Sequence, residues 1–196
     1  MIYILSLLLS IKPLQGTEVH KFKYVTEQAF DTSCGLAILS DLMTRFWNCK
    51  VCEYELIQRW LEWKSNNNKQ QNATYSISFL DMQSLLNIYG FTSRAYKLQY
   101  EDLIQISTNY SPIIIHLSDQ NGHFVLCLAA YEDFIIISDP AEGTYWLSRK
   151  AFNDRWKGYC ILVTSKLAIR NNNNLEEVVC DVIERKNHLF SLPYKY

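Results

Sequence analysis

The spacing of apolar residues changes at Pro112, and few architectures accept such a change. Before it, apolar side chains recur at helical intervals. After it, they gather in short β-rich runs separated by turn residues. Residues 34–47 place Leu36, Leu39, Met43, Phe46 and Trp47 on one side of a helix, with Asp31, Thr32 and Ser33 as N-cap candidates. A second helix fits residues 53–64. Ser78 with Asp81 three residues later reads as a capping box opening a helix that ends at Gly90. Residues 100–106 suit one more short helix. Strands are then expected at 113–117, 123–131, 134–138, 144–147 and 159–164, with a helical turn at 150–156 before the last. Helices first and antiparallel strands second make an α+β domain.

The 196 residues suit one domain, and a composition 48% hydrophobic with 14% aromatic is globular rather than disordered. The net charge is −1 and no stripe of Lys and Arg runs along any segment, which excludes nucleic acid as the expected partner. The first eleven residues, MIYILSLLLSI, carry no charged side chain. A membrane-spanning helix needs about 20 apolar residues, whereas a secretory signal needs only about 7–15. Residues 1–16 are therefore expected to be an export signal, or a membrane anchor if uncleaved. Residues 17–166 form the folded domain and 167–196 a C-terminal extension, in which a helix is expected at 175–185. A periplasmic or secreted location follows from the same reading.

A thiol becomes a useful nucleophile as its thiolate, which a helix N-terminus and a neighbouring imidazole both stabilise. Cys34 stands at the expected helix start, and Gly35 behind it is expected to leave room for a substrate backbone. Gln28, six residues earlier, carries an amide suited to donate to an oxyanion alongside the Cys34 N–H. Of four histidines, His20 and His188 lie near the termini, and His116 interrupts an apolar strand, where a structural role is expected. His123 follows the turn residue Gly122 and begins a strand. If residues 131–134 form a tight hairpin, Asp139 falls opposite or diagonal to His123 and can orient its imidazole. Cys49-Lys50-Val51-Cys52 reads as a structural disulfide or two free thiols, because no second pair completes a zinc site. Cys127, inside an apolar run, is expected to be a buried small hydrophobe. No metal and no cofactor is expected.

The stretch Gln28-Ala29-Phe30-Asp31-Thr32-Ser33-Cys34-Gly35-Leu36-Ala37 resembles the active-site segment of the C39 peptidases. Gly122-His123-Phe124-Val125 resembles that family's histidine strand, and Ser138-Asp139-Pro140-Ala141-Glu142-Gly143 its aspartate turn. The resemblance runs over about residues 24 to 165. It implies a papain-like fold and thiol hydrolysis of a peptide bond by Cys34, His123 and Asp139, with Gln28 in the oxyanion hole. The family's best-known members sit at the N-terminus of ABC exporters and cut leader peptides after Gly-Gly. No membrane domain or ATPase is read within these 196 residues. The expected partner is therefore an exported polypeptide, cut after small residues. Two other readings keep the fold: a non-catalytic peptide-binding module, and an amidase or acyl transferase working through the same thioester.

Overall fold

The computed structural model describes residues 21–67, 77–118 and 122–191. The apolar run at residues 1–11, most of the Asn-rich stretch and the tip of the turn before Gly122 lie outside them. Helix α1 covers Cys34–Asp41 and continues without a break as a π-helical turn, Leu42–Phe46. Ile38, Leu39, Leu42, Met43 and Phe46 have no exposed surface. Burying each contributes about 1.5–3 kcal/mol, against a net of about 0.5–1.5 kcal/mol for a whole hydrogen bond, so packing tolerates the looser turn. Asn48, at φ 52°, follows in the left-handed region that Asn accepts.

Helix α2 is Glu53–Asn67 and α3 is Phe79–Ile88. The capping box at Ser78 forms in both directions: Ser78 Oγ accepts from the Asp81 N–H at 3.2 Å, and Asp81 accepts from the Ser78 N–H at 3.0 Å. Strand β1, Phe91–Lys97, was not expected from the sequence. Only Phe91 in it is buried, and it lies on the sheet edge, paired with one neighbour. A polar edge strand carries no apolar alternation to betray it. Helix α4 runs over Tyr100–Tyr110.

The other strands are β2 (Ile113–Leu117), β3 (His123–Ala130), β4 (Phe134–Asp139), β5 (Gly143–Ser148) and β6 (Trp156–Ser165), with helix α5 (Arg149–Arg155) before the last. They make one antiparallel sheet in the order β1-β6-β2-β3-β4-β5. Strand alternation divides its side chains between two cores. Ile114, Leu126, Ile136 and Ile161 join α1, α2 and α3 on one face. Ile113, Ile115, Val125, Cys127, Ile135 and Ile137 face Leu103 of α4 and Phe152 of α5 on the other. The sheet is thus covered on both sides, which explains the continuous apolar runs of its central strands.

Helix α6 covers Asn172–Ser191, longer at both ends than expected. The Asn run starts it, since the Asn171 side-chain oxygen accepts from the Asn174 N–H at 3.2 Å. Val178 and Val182 enter the α1–α3 core, and the Asn171 N–H reaches the Phe46 carbonyl at 2.7 Å. Ala168, Leu175, Val179 and Ile183 pack against the same core, so helix α6 joins the core formed by α1–α3 and one face of the sheet.

Candidate active site

Cys34 is the first residue of α1 and is 8% exposed. The expected cap does not form. Ser33 occupies the N-cap position, but its side chain accepts no bond from the helix. Its hydroxyl instead donates to the Phe30 carbonyl at 2.8 Å and accepts the Phe30 N–H at 3.1 Å. The sequence lists good cap residues there, but the short turn draws Ser33 backwards. A helix start without a side-chain cap leaves its first N–H groups for another acceptor.

Gly35 also departs from expectation. A Cβ there would stand 2.4 Å from Ile77 Cγ2, 2.5 Å from Met82 Cε and 3.2 Å from Phe124 Cδ2. The space beside Gly35 is filled by the protein's own core, not left for a substrate. Its role is to let α1 seat tightly on β3 and α3.

His123 opens β3, and Asp139 closes β4. The turn joining these strands is tight, with the Tyr131 N–H donating to the Phe134 carbonyl at 2.8 Å. Ala130 pairs with Ile135 and Ala129 with Ile136, but Cys127 pairs with Ile137, so Leu128 is an extra residue in β3. This bulge decides the site. Without it, Asp139 would stand opposite Leu126, on the other face of the sheet from His123. With it, Leu126 pairs with Ser138 and Asp139 falls diagonal to His123 on the same face. His123 Nε2 lies 2.8 Å from Asp139 Oδ1.

Asp139 is fully buried, and four donors hold it. Oδ1 accepts from His123 Nε2 and from the N–H groups of Ala141 at 2.8 Å and Glu142 at 3.1 Å. Oδ2 accepts from the Tyr145 hydroxyl at 3.2 Å. Burial by itself favours the neutral acid, but the His123 hydrogen bond and charge and the two backbone donors outweigh it. The carboxyl is held below its ordinary range. His123 responds in the opposite sense. Burial pulls its pKa down, yet the hydrogen bonds to Asp139 and then to Cys34 raise it to about 10. The imidazole is thus hydrogen-bonded to Asp139, and Cys34 stands close enough to influence its protonation. Because Nε2 is engaged by Asp139, Nδ1 is the ring nitrogen left for the thiol.

Gln28 lies in the loop ahead of α1. Its Nε2 donates to the Phe30 carbonyl at 2.9 Å, which uses one of its two hydrogens, and its Oε1 is buried without a hydrogen-bond partner. The Gln28 N–H donates to the Pro140 carbonyl at 2.9 Å, tying this loop to the aspartate turn.

His116 sits in an aromatic group, 5.0 Å from the Phe124 ring centre and 5.9 Å from that of Phe79. Its Nε2 lies where a Cβ on Gly122 would be, at 2.6 Å, which accounts for glycine before His123. All six cysteines are free thiols, so Cys49 and Cys52 are two thiols and not a bridge. Cys127 is fully buried, as expected for a small hydrophobe, and burial drives its thiol upwards. Tyr145 was missed from the sequence. Burial, then the Asp139 charge, pushes its hydroxyl up to about 12, so it stays a donor. Its place on the strand after the aspartate turn was the available signal. Among the described residues, no group of three or more His, Cys, Asp or Glu could hold a metal ion, and no helix is long and apolar enough to cross a membrane.

A model of the Peptidase C39 family matches residues 21–168. The chain is 29% identical over 154 residues to the probable functional amyloid protease FapD of Pseudomonas fluorescens, a match covering 78% of this chain and 65% of that protein. It therefore spans just under two thirds of that relative's length. The peptidase domain of Streptococcus ComA, a bi-functional ABC transporter involved in quorum sensing, superposes with TM-score 0.59 at 20% identity, over 73% of this chain and 98% of that one. A double glycine motif protease from an AMS/PCAT transporter, solved with a leader peptide, gives TM-score 0.51 at 19% identity, over 72% and 91%. At such identities these structures show a shared fold.

Proposed function

This chain belongs to the peptidase C39 family and is a cysteine peptidase, and from that premise we propose that Cys34, His123 and Asp139 are its catalytic triad. The observation that carries the reading is the 2.8 Å hydrogen bond from His123 to the fully buried Asp139, with Cys34 at a helix start close enough to raise the imidazole's pKa. Cys34 attacks the substrate carbonyl as its thiolate, with His123 holding the proton. The tetrahedral oxyanion takes hydrogen bonds from the Cys34 N–H and the remaining Gln28 amide hydrogen. His123 then gives its proton to the leaving amine as the C–N bond breaks, leaving a thioester on Cys34. Water, deprotonated by the same imidazole, hydrolyses the thioester and returns the thiol.

The substrate in this reading is an exported polypeptide cut after small residues. Cys34 is only 8% exposed, so a scissile carbonyl reaches it only when the flanking groups are small. The double glycine motif of a structural relative and the leader-like apolar run at residues 1–11 support the same choice. A periplasmic or cell-surface site of action follows. The test is a peptide library cut by the purified chain, with Cys34→Ala as control. Expected is cleavage after Gly or Ala that is lost in the variant. Preference for large apolar or basic residues at that position would refute the substrate reading.

A further inference from the structure

We propose that Glu53 is a positioning residue for the Gln28 amide, acting through the backbone of the loop ahead of Cys34. This role rests on the oxyanion reading of Gln28 above. Two peptide groups flank the Gln28 Cα, and each has its N–H held by a fixed acceptor. The Gln28 N–H donates to the Pro140 carbonyl at 2.9 Å. The Ala29 N–H donates to both carboxylate oxygens of Glu53, at 3.1 and 3.3 Å. Peptide groups are planar, so holding both planes fixes φ and ψ at Gln28, and with them the direction of its Cα–Cβ bond. The far end of the side chain is held as well, where Nε2 meets the Phe30 carbonyl. That carbonyl is itself fixed by the Ser33 N–H at 3.1 Å and the Ser33 hydroxyl at 2.8 Å.

Of the acceptors that fix the two planes, only Glu53 is a side chain. It opens α2 and is 8% exposed. A carboxylate in a first helical turn is favoured by the helix dipole, but such a residue ordinarily meets solvent. Here it turns towards the Gln28 loop. Upstream, Asp41 holds the same segment by accepting the Thr26 N–H and hydroxyl, both at 2.7 Å. Releasing Ala29 frees one of the two planes at Gln28. A displacement of about 1 Å at a catalytic group costs about 10²-fold.

The test is a double-mutant cycle in the full chain, using the library peptide that the wild-type enzyme cuts fastest. Glu53→Ala is expected to lower kcat about 10- to 100-fold, with KM little changed. Glu53→Gln, which keeps an amide oxygen to accept from Ala29, is expected to retain most of the activity. Iodoacetamide labelling of Cys34, which develops no oxyanion, should proceed at the wild-type rate in both. In a Gln28→Ala background, Glu53→Ala should cost nothing further, because it acts only through that amide. Losses that multiply in the double variant, or labelling that falls along with turnover, would overturn the proposal. A Gln28→Ala enzyme with wild-type kcat would instead remove the oxyanion reading, and the role of Glu53 with it. Should Glu53→Ala fail to fold, Glu53→Met keeps the bulk without the carboxylate and carries the same cycle.

Discussion

Replacing Asp139 by Asn tests the charge of the site with little change in its shape. Oδ1 accepts from three N–H groups: His123 Nε2, Ala141 and Glu142. An amide NH₂ in that place would face the two backbone donors, so the Asn oxygen takes it. The NH₂ then stands where Oδ2 meets the Tyr145 hydroxyl, and a hydroxyl can accept as well as donate. The imidazole therefore keeps its tautomer, and what is lost is the negative charge. The rise of the His123 pKa from 6.5 to about 10 corresponds to about 5 kcal/mol in favour of the imidazolium. Asp139 and Cys34 share that stabilisation, and His123 is 17% exposed. The share due to Asp139 is then roughly 2–3 kcal/mol, or a fall in kcat of about 10²-fold. A group whose pKa is higher folded than unfolded stabilises the fold fully below its unfolded value. That contribution is lost as pH rises through the folded value. For His123 the window runs from about pH 6.5 to about 10, and in Asp139→Asn its upper edge should move down towards 6.5. Histidine NMR titration gives the midpoint, and cleavage of the best library peptide gives kcat. A kcat within about threefold of wild type, or an unmoved His123 midpoint, would refute the reasoning.

Iodoacetamide near neutral pH should label Cys34 well ahead of Cys127, which is fully buried and whose thiol burial drives upwards; mass spectrometry of timed samples reads the order. Gly35→Ala must displace Ile77 and Met82 side chains at 2.4 and 2.5 Å, so chemical denaturation should show a loss of about 1–3 kcal/mol. Gln28→Ala should lower kcat by about 10²–10³-fold while leaving thiol labelling unchanged. Asp139 ionises more readily in the fold than outside it, so its contribution to stability is complete above about pH 4. Acid titration should show that contribution lost as pH falls through its lowered folded value, and the loss should be absent in Asp139→Asn.

Much of the architecture was legible because its causes are local. The apolar spacing of α1, the Ser78–Asp81 box of α3 and the turn residues around the β-runs are interactions between near neighbours in the chain. The candidate residues Gln28, Cys34, His123 and Asp139 could be named from the same short stretches. Bringing them together required distant contacts that no local pattern contains. Strand β1 is polar and exists because β6 offers it a partner. The extra residue Leu128 sets which face of the sheet Asp139 occupies, and a regular hairpin would have separated it from His123. Ser33, a good cap by type, is held by Phe30, and Gly35 answers to Ile77 and Met82 rather than to a substrate. Glu53 and Tyr145 acquire their places only when α2 meets the Gln28 loop and β5 folds back on β4. Local sequence sets which elements form and where they start, because capping and periodicity act within a few residues. Register and close packing between elements set the chemistry, because a one-residue slip or one added methyl group moves a side chain by more than a hydrogen bond can span.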